Sequence, residues 1–233
     1  MIILHQIHKL RPGASVRDDF EALIRDEWLP QLAAGDDARL TWYAEPTGGA
    51  VHGDEVATMT AVRDGAALDR LATRLREGDL AELAGQLAEL RTGVEVRLLK
   101  PLDYDPSELS FDSIPVQPGS HPVAVYMHDF VPPVIGQNRG YGDMMRERYM
   151  ALTDKELSGV VLRYSWETVA GGGPIPEMFN LSQILDVEAL FRLLAVEIPA
   201  EYKKMGSWMW EGLAVRDRWT TRLYRCASWS PVV

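Results

Sequence analysis

The sequence predicts an α+β fold of two tandem copies of one small domain, each with the element order strand, helix, strand, strand, helix, strand, and three observations support it. The chain repeats itself with few insertions, because matching blocks keep a nearly constant separation of 120 to 125 residues. Its 233 residues suffice for two domains of about 100 residues. Apolar residues alternate in short segments and follow a helical period between them. The matched blocks are 4–12 with 124–132, Glu45 with Glu167, Glu55 with Glu177, Asp64 with Asp186, and 97–106 with 222–231.

In the first copy, strands alternate in polarity and helices follow residues that can cap them. Ser15 is expected to cap the first helix, and Asp18 and Asp19 in its first turn suit the helix dipole. Asp64 is expected to cap the second helix, whose leucines recur every three to four residues. The strands are predicted at 2–9, 39–45, 55–62 and 94–100.

The second copy repeats this order after a polar, proline-rich segment that has no periodicity and predicts a linker. We therefore divide the chain into a first domain at 1–105, a linker at 106–120 and a second domain at 121–233. The elements predicted in the second domain are strands at 122–130, 159–168, 177–185 and 218–226, and helices near 139–152, 186–197 and 200–212.

A strand–helix–strand–strand–helix–strand unit forms a ferredoxin-like plait, an antiparallel sheet with helices on one face. The other face of the sheet is apolar and has to be covered. Two such units packed sheet to sheet cover both faces, so the sequence predicts a pseudo-dimeric α/β barrel within one chain. A cavity between the sheets would be a natural ligand site.

The bulk composition excludes several kinds of partner. A net charge of −10 argues against nucleic acid and anionic membranes, which need clustered Lys and Arg. The sequence contains no run of 18 apolar residues, so it predicts no transmembrane helix, and the N-terminus has no secretory signal pattern. The single cysteine, Cys226, excludes an internal disulfide and favours a reducing cytoplasm.

Four segments of the first copy carry a family resemblance: HQIHKLRPG, LIRDEWLPQL, the Gly-Gly hairpin loop and the closing LLKPLDYDP. They resemble NIPSNAP-type domains of the dimeric α/β-barrel superfamily, over about residues 2–106 and less closely over 122–231. The resemblance implies the barrel fold. For function, it implies cofactor-independent quinone-forming monooxygenases, polyketide cyclases, isomerases, decarboxylases, haem enzymes or a non-catalytic NIPSNAP-like scaffold.

The two halves differ in their side chains. Residues 1–117 carry a net charge of −9, and residues 118–233 a net charge of −1. Five of the seven Trp, six of the eight Tyr and seven of the nine Met lie in the second half. This difference predicts that the first domain is mainly scaffold and that the second holds the pocket.

Two histidines, His8 and His128, end the first strand of each copy at matched positions in the repeat. A neutral imidazole can act as a general base near neutral pH. We expect His8 to bond a backbone carbonyl. His128 is the candidate base, because Tyr126 and Asp129 adjoin it in the aromatic-rich half.

The middle strands of the second domain supply the other catalytic candidates. Arg163 or Asn180 would hold an oxyanion, and Glu167, beside Trp166, would act as an acid or base if burial raises its pKa; its alternative role is a structural bond to the hairpin loop. Alternation places Arg163 and Glu167 on one face and Tyr164 and Trp166 on the other. The sequence leaves open which of these faces lines the cavity.

The glycine-rich segment at 136–142 lacks the spacing of a nucleotide loop, so we expect it to form a lid over the cavity. Trp208 lies in an aromatic and Met-rich helical stretch that forms either core or a ligand wall. The predicted substrate-binding residues are Tyr126, Tyr141, Met145, Tyr149, Tyr164, Trp166 and Trp208.

The five histidines show no metal-binding spacing, so we expect no metal and no cofactor, with haem bound by His128 as the alternative. Together these residues predict an enzyme that removes a proton from a small apolar, aromatic or polyketide-like molecule and stabilises the anion. Oxygenation and cyclisation or isomerisation would both begin this way. A non-catalytic ligand-binding or scaffold protein is the competing hypothesis, and a homodimer of pseudo-dimeric chains is left open.

Overall fold

The computed structural model describes residues 1–49, 54–150, 159–173, 176–191 and 211–232. The predicted helix near 200–212 and the end of the one near 186–197 lie outside these residues, as does Trp208.

In the described residues, eight antiparallel strands form one closed barrel. Each strand is present within a few residues of its predicted position, and one prediction, 55–62, has the same bounds as the structure. The strands are β1 Ile2–Leu10, β2 Ala38–Gly49, β3 Glu55–Val62, β4 Arg91–Pro101, β5 Ala124–Val131, β6 Val160–Ala170, β7 Met178–Ile184 and β8 Thr220–Cys226. Around the barrel they follow the order β1-β3-β2-β8-β5-β7-β6-β4.

The two halves join at their sheet edges. Strand β2 pairs with β8 through Ala44 and Cys226, and β4 pairs with β6 through Lys100 and Glu167. These hydrogen-bonded seams merge the two four-stranded sheets into one barrel, so no strand edge is left at either seam. The predicted pseudo-dimeric α/β barrel is confirmed.

Short helices pack on the outside of the barrel, and both halves contain the same irregularity. A π-helical turn follows the first helix of each half, at Ile24–Trp28 and at Met145–Tyr149. Asp64 caps the helix that begins at Gly65, as predicted, accepting a hydrogen bond of 2.8 Å from the Ala67 amide. The Ser15 side chain makes no capping bond. The helices are α1 Val16–Leu23, α2 Leu29–Ala34, α3 Gly65–Glu77, α4 Ala81–Glu89, α5 Asn138–Met144 and α6 Val187–Phe191. None of the helices described is long and apolar enough to cross a membrane.

The apolar side chains form an interior core and two outer layers. The interior is filled by aromatic and aliphatic residues from both halves, including Trp42, Tyr126 and Trp166. In the outer layer of the first half, apolar side chains cluster around Phe20. The linker also contributes to the interior, because the buried Phe111, in its 3-10 turn Phe111–Ser113, packs into the same core. The linker is thus more than a polar connection.

Candidate active site

The strand register defines which residues of the two halves are equivalent. His5 lies opposite Met59 and Arg97, and His128 lies opposite Leu181 and Arg222. His128 therefore corresponds to His5, and the predicted equivalence with His8 is corrected. His8 lies on the outer face, where it contacts Phe20 and the Thr58 hydroxyl.

His5 and His128 meet at the centre of the barrel. Their Nε2 atoms are 2.7 Å apart, so one ring donates a hydrogen bond and the other accepts it. Both side chains are fully buried. Burial, followed by the charges of Arg222 and Arg97, lowers the pKa of His128 to about 3, and burial also lowers the pKa of His5. Both rings are therefore neutral at physiological pH.

Two ion pairs flank the histidines and connect the halves. Arg97 of β4 donates to Glu177 near β7 at 3.0 Å, and Arg222 of β8 donates to Glu55 of β3 at 3.4 Å. Both glutamates are almost completely buried. The two pairs occupy equivalent positions, and each joins an arginine of one half to a glutamate of the other. The interior polar cluster thus has the pseudo-twofold symmetry of the repeat.

The interior also contains three of the predicted aromatic site residues. Tyr126, Tyr164 and Trp166 belong to the filled core of the barrel, which answers the question of which β6 face points inward. Trp166 stacks on Phe179 at a centroid distance of 5.5 Å. These rings pack against neighbouring side chains in this structure.

The two charged candidates of β6 lie outside the interior. Arg163 is exposed, and its Nε donates to the Gln183 side chain at 2.9 Å. Glu167 forms an ion pair of 2.6 Å with Lys100 across the β4–β6 seam. Neither side chain contacts His128, so the structure does not bring the predicted catalytic residues together.

Asn180 lies on the outer face of the second half, in a chain of hydrogen bonds. The Ser165 hydroxyl donates to the Asn180 side-chain oxygen at 2.7 Å, and the Asn180 amide donates to the Tyr141 hydroxyl at 2.8 Å. The amide orientation is thus set from both sides, and the Tyr141 hydroxyl keeps its own proton for another acceptor. Tyr149 extends the cluster, with its hydroxyl 3.4 Å from that of Ser182.

Asp129 is the ionisable group nearest to this cluster. It lies directly opposite Asn180 in the β5–β7 ladder and is 4% exposed. Burial raises the pKa of its carboxyl to about 7, although hydrogen bonds from Thr221 and Trp219 and the charge of Arg216 oppose this shift. Its Oδ1 atom has no hydrogen-bond partner among the described residues. A carboxyl with these properties can gain or lose a proton near neutral pH.

These groups line a small cavity of about 10 Å³, enough for roughly one water molecule. Three predicted binding residues, Tyr141, Met145 and Tyr149, line it from α5 and its π-helical turn. An aromatic substrate requires this helical segment to move outward. The remaining lining residues are Asp129, Val131, Asn180, Arg216 and Trp219.

The described residues of the first half carry no counterpart to the Asp129 carboxyl and the Asn180 amide. The register places Gln6 at the position of Asp129 and Thr58 at that of Asn180. Tyr141 precedes the π-helical turn of the second half. In the first half, Phe20 occupies the equivalent position before the turn, and it is fully buried among apolar side chains. The polar cluster is therefore a property of the second half alone.

The sequence did not single out Asp129, Arg216 and Trp219 as site residues. Strand alternation within β5 places the Asp129 side chain on the face opposite to that of His128, but it does not indicate that Asp129 is buried. The interior ion pairs were indicated, since Glu55 with Glu177 and the 97–106 block with the 222–231 block were matched pairs of the repeat.

The described residues do not fit a haem or a metal. No group of three or more His, Cys, Asp or Glu side chains is arranged to hold a metal ion within them. His5 and His128 bond each other through Nε2, and the Nε2 atoms of His8 and His121 also have partners. None of these four offers a free Nε2 to an axial position; His52 lies outside the described residues.

The fold is similar to that of several solved structures. A candidate monooxygenase from Lactobacillus acidophilus NCFM aligns over 100% of this chain and 98% of its own, with 11% identity and a TM-score of 0.59. An anthrone oxidase-like protein aligns over 97% and 91%, with 13% identity and a TM-score of 0.57. A NIPSNAP family protein from Agrobacterium tumefaciens aligns over 45% and 96%, with 20% identity and a TM-score of 0.36.

No family model matches the sequence, and no curated protein does either. At these identities, the two alignments that span nearly the whole chain establish the fold and leave the reaction open. Together with the closed eight-stranded barrel, they show that this chain has the fold of the dimeric α/β-barrel superfamily.

Proposed function

We propose that the chain is a cofactor-independent oxidative enzyme, a monooxygenase acting on a small aromatic or polyketide-like molecule. The observation that carries this proposal is the buried Asp129 carboxyl, with its pKa near 7, directly opposite the oriented Asn180 amide. We infer that residues 121–233 hold the site and that residues 1–105 act mainly as scaffold.

Asp129 replaces His128 as the proposed base for a geometric reason. His128 points into the barrel and Asn180 points toward α5, so the two cannot contact the same substrate molecule. His128 is also a weak base, because its pKa is about 3. Asp129 lies on the same face as Asn180, and a pKa near 7 suits proton abstraction at physiological pH.

The neighbouring groups are suited to stabilise the resulting anion. Arg216 lines the cavity, with its guanidinium 5.0 Å from the Trp219 ring centroid. The Tyr141 hydroxyl already accepts from Asn180, so its proton can point to an enolate or phenolate oxygen. Donors fixed in advance and shielded from water stabilise such an oxyanion by several kcal/mol, typically about 3.

The proposed reaction balances with dioxygen as the co-reactant. Asp129 removes a proton from a CH₂ group that is conjugated with a carbonyl through an aromatic ring, and the resulting carbanion-enolate then reacts with O₂. Breakdown of the hydroperoxide at that carbon leaves a second carbonyl group, and one oxygen atom departs as water. Anthrone plus O₂ thus gives anthraquinone plus H₂O, and the anthrone oxidase-like structural neighbour makes anthrone a rational first substrate.

The test measures O₂ uptake and anthraquinone formation above the uncatalysed rate. Asp129→Asn, which keeps the side-chain shape, should lower kcat by about a hundredfold or more. Gln6→Ala, at the equivalent position in the first half, is the matched control and should retain activity. The rate should rise with pH through about 7 as the carboxyl ionises.

A second readout separates oxygenation from cyclisation or isomerisation. If anthrone is not oxidised, exchange of its CH₂ protons in D₂O reports proton removal alone, and Asp129-dependent exchange would favour an isomerase or cyclase. If anthrone shows neither turnover nor proton exchange, that result would favour the non-catalytic binding or scaffold function. The filled barrel interior also supports that function. A cytoplasmic location and a homodimer remain predictions.

A further inference from the structure

A second, larger cavity lies at one end of the barrel, apart from the candidate active site. It has a volume of about 830 Å³ and lies between linker residues 106–115, strand β6 and Pro231 and Val232 near the C-terminus. We refer to it as the linker cavity. Its volume falls within the range of small-molecule sites, which is about 300 to 1,000 Å³.

The linker cavity has an apolar wall and a polar rim. Leu109 and Val232 pack partly buried against the interior core, and the buried Tyr164 and Leu162 line the wall from β6. Arg163, which is exposed, carries the positive charge at the rim. Among the described lining residues, the site thus combines apolar surface with one cation, Arg163.

The Arg163 guanidinium is oriented for a ligand. Its Nε and Nη2 both donate to the neutral Gln183 oxygen, at 2.9 and 2.5 Å, which fixes the plane of the group without neutralising it and leaves the Nη1 edge for a ligand. No carboxylate of the described residues lies within 4 Å of it. A planar guanidinium with free N–H groups matches the two oxygens of a carboxylate. Glu108 also lines the cavity, so a ligand with one negative charge fits better than one with two.

We propose that the linker cavity is a binding site for a small amphipathic monocarboxylate. The apolar body of the ligand lies against Leu109, Leu162 and Val232, and its carboxylate pairs with Arg163. The lining residues are not shared with the cavity around Asp129. The site therefore does not depend on the oxidative function proposed above.

Calorimetric titration of the full chain with decanoate, and with decan-1-ol as its neutral analogue, tests this proposal. Decanoate should bind saturably at one site per chain. Arg163→Gln should weaken decanoate binding about fivefold and leave decanol binding unchanged. The matched control is Arg25→Gln, which removes one exposed positive charge from the turn after α1 and should alter neither affinity.

Filling the cavity tests its apolar wall. Leu109→Trp should weaken the binding of both decanoate and decan-1-ol at least tenfold. If Leu109→Trp lowers the melting temperature, Val232→Trp provides the same test. Equal loss of decanoate binding in Arg163→Gln and Arg25→Gln would reduce the effect to net charge and overturn the proposal. Undiminished binding in folded variants with a filled cavity would also overturn it.

Discussion

Two adjacent residues of β5, His128 and Asp129, should give the protein opposite responses to acid. His128 points into the barrel, where burial lowers its pKa from 6.5 to about 3. Asp129 points to the outer layer, where burial raises its pKa from 3.8 to about 7. Substituting each residue separately should therefore change the pH dependence of the free energy of unfolding in opposite directions.

The size of each effect follows from proton linkage. His128 contributes stability above pH 6.5 that is lost as the pH falls toward about 3. At pH 5, which is about 1.5 units below the unfolded pKa of 6.5, the lost stability is about 2 kcal/mol, because each unit corresponds to about 1.36 kcal/mol. Asp129 contributes stability that is complete below pH 3.8 and is lost as the pH rises through about 7. Going from pH 7.5 to 5 it regains about 2.5 kcal/mol.

The assay is urea denaturation of the wild type, His128→Gln and Asp129→Asn at pH 7.5 and pH 5. From pH 7.5 to 5, the free energy of unfolding of His128→Gln should rise by about 2 kcal/mol relative to the wild type, and that of Asp129→Asn should fall by about 2.5 kcal/mol. Shifts of the same sign, or no change with pH, would refute the burial of both side chains. An unperturbed Asp129 would also remove the basis for its role as a base.

Three further changes test the fold. Asp64→Ala should lower the free energy of unfolding by about 1 kcal/mol in urea denaturation, whereas Ser15→Ala should leave it unchanged, because only Asp64 makes a capping bond. Arg97→Met should cost about 3 kcal/mol in the same assay, because it leaves Glu177 buried without its partner, and adding Glu177→Leu should restore much of the loss. Phe111→Ala should lower the melting temperature and reduce the free energy of unfolding by about 3 kcal/mol, because Phe111 of the linker packs into the interior core. If the linker were independent of the core, the change would have little effect.

The strand pattern could be predicted because it is local. Each strand alternates between the barrel interior and the outer layer, and the same spacing recurs in the second half. The side-chain faces of the two histidines could not be predicted from the repeat. The sequence match relates His8 to His128 at a shift of 120, but the structural register relates His5 to His128 at 123. A difference of three residues, an odd number, places the matched side chain on the other face of the sheet.

The candidate site was predicted in part. Tyr141, Met145, Tyr149 and Asn180 were each expected in the pocket from their own segments, and the structure brings them to one cavity. Asp129 was not identified, because its perturbed pKa arises from burial under residues distant in sequence. That burial depends on how α5 and the segment before β8 pack on the sheet, and no pattern within β5 contains this information.

The two halves are alike on the interior face of the barrel and differ on the outer face, and this difference favours a single active site per chain. The interior retains both copies of its polar pairs, because Arg97 with Glu177 and Arg222 with Glu55 each connect the two halves. Losing either copy leaves a buried charge and weakens the junction, so both halves are constrained alike. The outer layer has no such constraint, since each half packs its own helices there. One outer layer can therefore pack the neutral His8, whose pKa burial lowers to about 3, against the apolar side chains around Phe20. The other carries the Asp129 carboxyl, which can ionise near pH 7; its desolvation costs stability and is consistent with a functional role.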